Sequence, residues 1–338
     1  MIDFRYHLVS IVAVFLALAI GIVIGASALK PEVLKFLDNA SSREQRQISS
    51  QQANIRNLKN QLGSNQAFAQ ANTPALLKGV LQDQPVALVT APGADATTIN
   101  GVTAALKLAG AKVTTQAELQ PSFFGTSAAT RSSLEALAVQ VAPPGLVLQT
   151  TTPGADPQIA GQQEAAQVLA AALVTKDGAD LTGDEVNTIL TGFTQQGFLQ
   201  LSPPAGSTPP PQATLAVVII PGSPPATDAD PANLALISVA EQLSLSSSSH
   251  GVVVAGSLTG SGPGSAIDEL VSTGAQLSSV NNADTAIGQI LVAQALSSLL
   301  AGHKPGAYGV GISAVPTPAP APSATSSAAA APKQLAHA

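Results

Sequence analysis

The sequence contains no cysteine and no tryptophan, and Met1 is its single methionine. Without cysteine there are no disulfides, no thiol nucleophile and no thiolate metal ligands. Charged residues make up only 10% of the 338 residues, and the formal net charge is -6. Because nucleic-acid binding relies on basic patches, and no run of Lys or Arg occurs, the chain is not expected to bind nucleic acid.

The sequence also lacks a complete catalytic or nucleotide-binding motif. The glycine-rich stretch "AGSLTGSGPGSA" has Ser265 where a dinucleotide-binding loop needs its third glycine, and no Walker-type G-K-S/T occurs. Asp184-Glu185 and Asp268-Glu269 are adjacent pairs, and adjacent carboxylates on a helix point apart. No G-x-S-x-G is present. The sequence therefore predicts a protein that is not an enzyme.

An uncharged segment of 22 residues, Leu8 to Leu29, lies between Arg5 and Lys30. At 1.5 Å per residue a helix of this length spans a hydrocarbon core of roughly 30 Å. The apolar region of a cleavable signal peptide is shorter, about 7–15 residues. Residues 1–30 are therefore predicted to form a retained transmembrane anchor, with cleavage after Ala26-Ser27-Ala28 as the alternative.

Small residues recur every four positions in this segment, at Ala13, Ala17, Gly21 and Gly25. This spacing places them on one helix face, and a row of small side chains lets two membrane helices approach closely. The row predicts a helix-pairing surface. The alternative is that an Ala-rich helix has this spacing by chance.

Residues 31–71 are rich in Gln, Asn, Ser and Arg and are predicted to form a coiled-coil stalk. Six of ten assigned a and d heptad positions are apolar, and the polar ones lie mostly in the middle, which is typical of a weak coiled coil. The predicted seam consists of Leu34, Leu37, Ile48, Ile55, Leu58 and Leu62. This pattern predicts a homodimer. The alternative is a single amphipathic helix that packs on its own domain.

Residues 72–313 are predicted to form a mostly parallel, Rossmann-like α/β domain. In the first βαβ unit a strand ends at Thr90, Asp95 caps a helix, Gly110 ends it, and a second strand starts at Val113. A second βαβ unit is predicted, in which the strand "ATLAVVIIPG" ends at Ile220 and a helix with Asp230 as its cap and Pro231 at its first position leads to the strand "GVVVAG".

Further helices are predicted near 158–174, 183–196 and 284–300. From Val315 onward Pro, Ala, Ser and Thr predominate. The tail at 314–338 is therefore predicted to be disordered.

Both ends of the chain resemble the mycobacterial copper transport protein B family of actinobacteria. The N-terminal match is "FRYHLVSIVAVFLALAIGIVIG", and the C-terminal match is "SSVNNADTAIGQILVAQALSSLLAGHKPGAYGVG". The βαβ layout between them also fits, so the resemblance covers residues 2–311. The family pattern has Asp at the position of Asn281, and the amide weakens any carboxylate role there.

The resemblance implies a role in copper transport or homeostasis, with copper as a possible ligand. Cu(I) prefers Cys and Met, which the globular region lacks. The two histidines there, His250 and His303, are weak candidates for binding Cu(II) together with carboxylates. More often such histidines have a structural role.

Relatives associated with cell division imply an alternative function, a dimeric coiled-coil scaffold that regulates a cell-wall hydrolase. The Lys and Arg count around the anchor would place the main domain in the cytoplasm. The resemblance implies an extracytoplasmic domain instead. The sequence itself gives no support for placement in an outer membrane.

Overall fold

The computed structural model describes residues 4–148, 159–176, 180–202, 209–221, 231–247, 249–257 and 265–311, without the side chains of 4–5 and 26–41. The chain divides into two compact units, Met1–Asn65 and Gln66–Ala338. Asp230, the predicted glycine-rich loop from 258 to 264 and the predicted tail at 314–338 lie outside the described residues.

Helix α1, Phe4–Leu77, contains 74 residues and forms all of the first unit that the structure describes. Its last turns belong to the second unit, where Ala69 is 6% exposed and Leu77 is fully buried. The helix continues for six residues past Ala71, where the stalk was predicted to end. Burial of Leu77 in the core explains why those extra residues are helical.

A seven-stranded sheet forms the centre of the second unit, in the order β3-β2-β1-β4-β5-β6-β7. Its neighbours pair in parallel except β2 and β3, which are antiparallel. The strands are β1 Pro85–Thr90, β2 Lys112–Leu119, β3 Leu199–Ser202, β4 Leu215–Ile219, β5 Val252–Ala255, β6 Ser278–Val280 and β7 Ala307–Tyr308. The predicted mostly parallel α/β fold is confirmed.

Helices cover both faces of this sheet, and each face has its own apolar core. One core includes residues of α2 and α8, and the other includes residues of α3 to α7. The helices are α2 Ala96–Leu108, α3 Ala128–Val141, α4 Ala160–Leu173, α5 Gly183–Gln195, α6 Pro231–Ser246, α7 Ala266–Ser272 and α8 Ala286–Leu300, with a 3₁₀ turn at Pro121–Phe124. Strands covered on both sides carry continuous apolar runs, as in β4, all five residues of which are buried.

The first βαβ unit forms as its sequence predicts. Asp95 caps α2 through its carboxylate, which accepts the Thr98 N–H at 2.9 Å. Gly110 ends α2 with φ of 88°, a left-handed conformation that is unfavourable for other residues. Strand β2 then pairs in parallel with β1.

The second βαβ unit is also confirmed, since α6 begins at Pro231 and β5 pairs in parallel with β4. The last helix differs from its prediction at one end. It begins at Ala286 rather than Asp284, because Thr285 is the capping residue and accepts the Gly288 N–H at 3.1 Å.

Candidate functional site

The apolar part of α1, Tyr6–Gly25, is the one helix in the described part of the chain that is long and apolar enough to cross a membrane. It contains 20 residues with a mean hydropathy of 2.9, and none of it is buried against the rest of the protein. An uncovered apolar surface of this length is unfavourable in water and matches the thickness of a bilayer core. The predicted anchor therefore has the required length, composition and exposure.

The predicted pairing residues Ala13, Ala17, Gly21 and Gly25 lie on this helix. A side chain added at Gly21 or Gly25 would meet nothing within 4 Å. The small-residue row is thus open to another helix, and helix pairing remains a prediction.

Farther along α1, four predicted seam residues are exposed although they are apolar. The exposed fractions are 47% for Ile48, 51% for Ile55, 58% for Leu58 and 67% for Leu62. We call these four residues the heptad face. The side chains of Leu34 and Leu37, also predicted in the seam, lie outside the described residues.

The two candidate copper ligands follow the ends of different helices. His250 comes after α6, is exposed, and has its Nδ1 3.3 Å from the Ser244 hydroxyl oxygen. His303 comes after α8, is exposed, and its backbone N–H donates to the Ser298 carbonyl. Within the described residues no three or more His, Asp or Glu side chains are grouped to hold a metal ion. Among the described residues, the two histidines thus lie after different helices and share no set of metal ligands.

The adjacent acidic pairs Asp184-Glu185 and Asp268-Glu269 lie in the first turns of their helices. Glu185 belongs to a capping box, in which the Thr182 N–H and hydroxyl both donate to its carboxylate. These hydrogen bonds lower the pKa of Glu185. Asp268 lies in the first turn of α7. Negative charge stabilises a helix N-terminus, so these residues have a structural role.

Asn281, where the resemblance led us to expect Asp, joins the end of β6 to the segment after β7. Its Nδ2 donates to the Val310 carbonyl at 2.5 Å, and its Oδ1 accepts the Val310 N–H at 2.8 Å. An amide provides both a donor and an acceptor, which a carboxylate does not. The residue at 281 therefore fastens the chain beyond β7.

A buried acid on α4, Glu164, was not singled out from the sequence. Its side chain is 2% exposed, and its Oε2 has no hydrogen-bond partner among the described residues. Burial, with a smaller contribution from the Glu135 carboxylate, raises the pKa of Glu164. The surrounding sequence "QQEAAQVL" resembles that of an ordinary solvated helix. The local pattern therefore gave no signal that Glu164 is buried.

The sequence of the chain matches a family model over residues 1–318, and the family is described as MctB, copper transport outer membrane protein. No curated protein matches the chain. The match covers both the α1 segment and the α/β domain. The chain belongs to the MctB family, and the predicted family membership is confirmed.

Proposed function

We propose that this member of the copper transport family acts as a membrane-anchored homodimer whose second copy binds along α1. The observation that carries the proposal is the heptad face, four apolar residues that are each about half exposed or more. Apolar side chains at a seven-residue spacing form a stripe that a second helix can cover. Burial of this stripe is the driving force for dimer formation.

The residues that flank the heptad face favour a second copy of the same helix. The e and g positions from 45 to 66 carry amide side chains except Lys59, so two identical helices meet without like-charge rows. These positions are Gln45, Gln47, Gln52, Asn54, Lys59, Gln61 and Gln66.

The seam has a defined C-terminal limit. Ala69 occupies the heptad position that follows Leu62, and it is buried in the second unit. The homotypic contact therefore ends before Ala69. A seam of about two heptads is weak by itself, and attachment of both copies to one membrane raises their effective concentration.

The proposed role in copper transport does not rest on a dedicated binding site in the described residues. The sequence offers no cysteine, and the two globular histidines are not grouped with further ligands there. We propose that the chain supports transport without catalysis, as an assembled envelope component with an extracytoplasmic α/β domain. Copper is the cargo of this process.

Single-cysteine crosslinking tests the dimer, because the natural chain has no cysteine to interfere. Ile55→Cys lies on the heptad face, and Asn60→Cys on the opposite face is the matched control. Full-length protein in native membranes should give a disulfide-linked dimer for Ile55→Cys and little for Asn60→Cys. Equal crosslinking of both variants, or of neither, would contradict the proposal.

The transport role is tested in cells that lack the endogenous protein. Wild type and Asn60→Asp should restore normal cell-associated copper, whereas Ile55→Asp should fail at equal protein level in the membrane fraction. A variant that no longer crosslinks but still restores normal cell-associated copper would show that copper transport does not require the dimer. The N-terminal sequence of the membrane-bound chain shows whether the anchor is retained.

The heptad face also favours a second candidate function, the regulation of a cell-wall hydrolase in division. A scaffold needs an exposed binding helix and no metal ligands, and α1 provides such a helix. In the same cells, this function predicts that Ile55→Asp lengthens cells or delays septation while copper content stays normal. The copper role predicts instead that Ile55→Asp changes copper content while cell length and septation stay normal.

A further inference from the structure

The helical layer that contains α3, α4 and α6 holds several buried oxygen atoms without hydrogen bonds. Within the described residues these include Gln162 Oε1, Glu164 Oε2 and Ser238 Oγ. Each residue is at most 3% exposed. A buried polar atom without a partner loses its hydration and gains nothing in return. These unpaired oxygen atoms therefore make the fully packed helical layer less stable than the same layer with apolar side chains at those positions.

Glu164 is the most costly of these groups because it is ionisable. It lies on α4 among buried apolar residues that include Ala165 and Val168. A carboxylate in such surroundings is disfavoured unless a positive charge or several donors stabilise it.

The elements that pack against α4 supply little positive charge. Helices α3, α5 and α6 all contact α4, and most of their charged residues are acidic. Arg131 of α3 is the exception, and its Nη1 donates to the Thr126 carbonyl at 3.2 Å. The acidic residues are Glu135 on α3, Asp184 and Glu185 on α5, and Glu241 on α6. The electrostatic surroundings therefore oppose the ionised form of Glu164.

The α3–α4 contact is close at the N-terminal end of α4. Gly161 lies against the backbone carbonyl of Arg131, where an added Cβ would not fit. Gln162 Nε2 donates to the Gly125 carbonyl at 3.0 Å and fastens the same end. Glu164 follows Gly161 by three residues, which places it on the same side of α4, and it interacts with Glu135 of α3. Hydration of its carboxylate therefore requires the two helices to separate.

We propose that the α3–α4 contact is a proton-controlled switch, closed when Glu164 is protonated and loosened when Glu164 is ionised. Burial raises the pKa of Glu164 in the closed state, whereas in the open state the carboxylate is hydrated and its pKa is ordinary. The open population then increases by up to about tenfold per pH unit between the two pKa values. The loosening affects the helical layer of one sheet face and does not depend on the α1 dimer.

Hydrogen exchange of the full-length chain in detergent at pH 5 and pH 8 tests the switch, after correction for the intrinsic exchange rate. In wild type, protection of α3 and α4 should fall at pH 8, whereas α2 on the other sheet face should keep its protection. Glu164→Gln, which is neutral at both pH values, should keep α3 and α4 protected. Glu135→Gln should reduce the pH effect without abolishing it.

Two results would overturn the proposal. One is a wild-type α4 whose protection is the same at both pH values. The other is a pH-dependent loss in Glu164→Gln equal to that of wild type. Should Glu164→Gln fail to give the cooperative melting of wild type, Glu164→Met replaces it as a neutral, apolar side chain of similar length.

Discussion

Asn281 and Val310 exchange two hydrogen bonds, one in each direction, across 29 residues of chain. The pair connects the end of β6 to the segment after β7, which is the last strand of the sheet. The contact requires an amide, because Val310 presents a carbonyl to one side of the Asn281 side chain and an N–H to the other.

Asn281→Asp should therefore destabilise the domain. The substitution removes the donated hydrogen bond and places a carboxylate beside the Val310 carbonyl. We expect a loss of about 1 kcal/mol in the free energy of unfolding at neutral pH. Urea denaturation of the full-length chain measures this loss. Asn281→Ser serves as the control that shortens the side chain without adding charge, and an Asp variant as stable as wild type would show that the contact is unimportant.

Two glycines at helix contacts should differ in their response to alanine. At Gly288 the new Cβ would meet the backbone carbonyl of Asn282, whereas at Gly101 it would meet the flexible side chain of Gln289. Gly288→Ala should cost about 1–3 kcal/mol through overpacking. Gly101→Ala should be nearly neutral, because the helix propensity of alanine, worth about 1 kcal/mol, offsets the displacement of Gln289. Thermal melting compares the two, and an equal loss at both sites would contradict the geometry.

Glu164 should make the stability of the domain depend on pH. Its pKa in the folded state is raised by burial, so its contribution is fully present below the unfolded pKa and is lost as pH rises through the folded pKa. Glu164→Gln should match wild type at low pH and become more stable than wild type at higher pH. Urea midpoints from pH 4 to pH 8 check this. The exposed residue Glu118 provides the control, because Glu118→Gln makes the same substitution outside the core.

Glu44 should weaken the proposed dimer. It occupies a d position of the heptad pattern, where two carboxylates would face each other in a parallel, in-register pair. Glu44→Leu should tighten association of the full-length chain in detergent by about tenfold or more, as for a burial gain of about 1.5–3 kcal/mol. Ser49→Leu adds the same side chain away from the seam and should leave association unchanged. Equal tightening by both substitutions would indicate non-specific apolar contact.

If His250 and His303 bind copper(II), as the sequence analysis predicts, each substitution should remove a separate site. Within the described residues neither histidine is grouped with two further metal-ligating side chains, and the two precede different strands, β5 and β7. Each of His250→Asn and His303→Asn should remove one weak site and leave the other. Calorimetric titration of the full-length chain measures both, with His7→Asn as a control in the anchor. Complete loss of binding in either single variant would show that the two histidines share one site.

The sequence predicted the βαβ units because several local signals agree there. Apolar runs form the strands, Asp95 caps α2, and Gly110 provides the left-handed residue that ends it. The 3₁₀ turn, α3, β3, β6 and β7 were not predicted. Helix α3 has a capping residue, Ser127, and a buried stripe of Leu134, Leu137, Ala138 and Val141, so local signals for it were missed, whereas β3 has only four residues. The placement of such a short strand depends on packing against the rest of the fold, which local sequence does not encode.

Of the candidate functional residues, only those that belong to a repeating sequence pattern could be predicted. The heptad spacing identified Ile48 and Ile55, and their exposure agrees with a surface that binds another chain. The burial of Glu164 was not predictable, since a carboxylate among alanines and glutamines is usually solvated. The pair of hydrogen bonds between Asn281 and Val310 was not predictable either, because the two residues are 29 positions apart in the sequence.

The short strands at both edges of the sheet have a consequence for aggregation. Strand β7 consists of Ala307–Tyr308 and β3 of Leu199–Ser202, so each edge offers little free backbone for pairing with a foreign strand. Long, flat edge strands are the sites at which sheets of different molecules pair and aggregate. Charged side chains on edge strands usually prevent this pairing, and none of the residues of β3 and β7 is charged. The short length of the edge strands thus gives the protection against amyloid-like stacking that surface charge gives in other proteins.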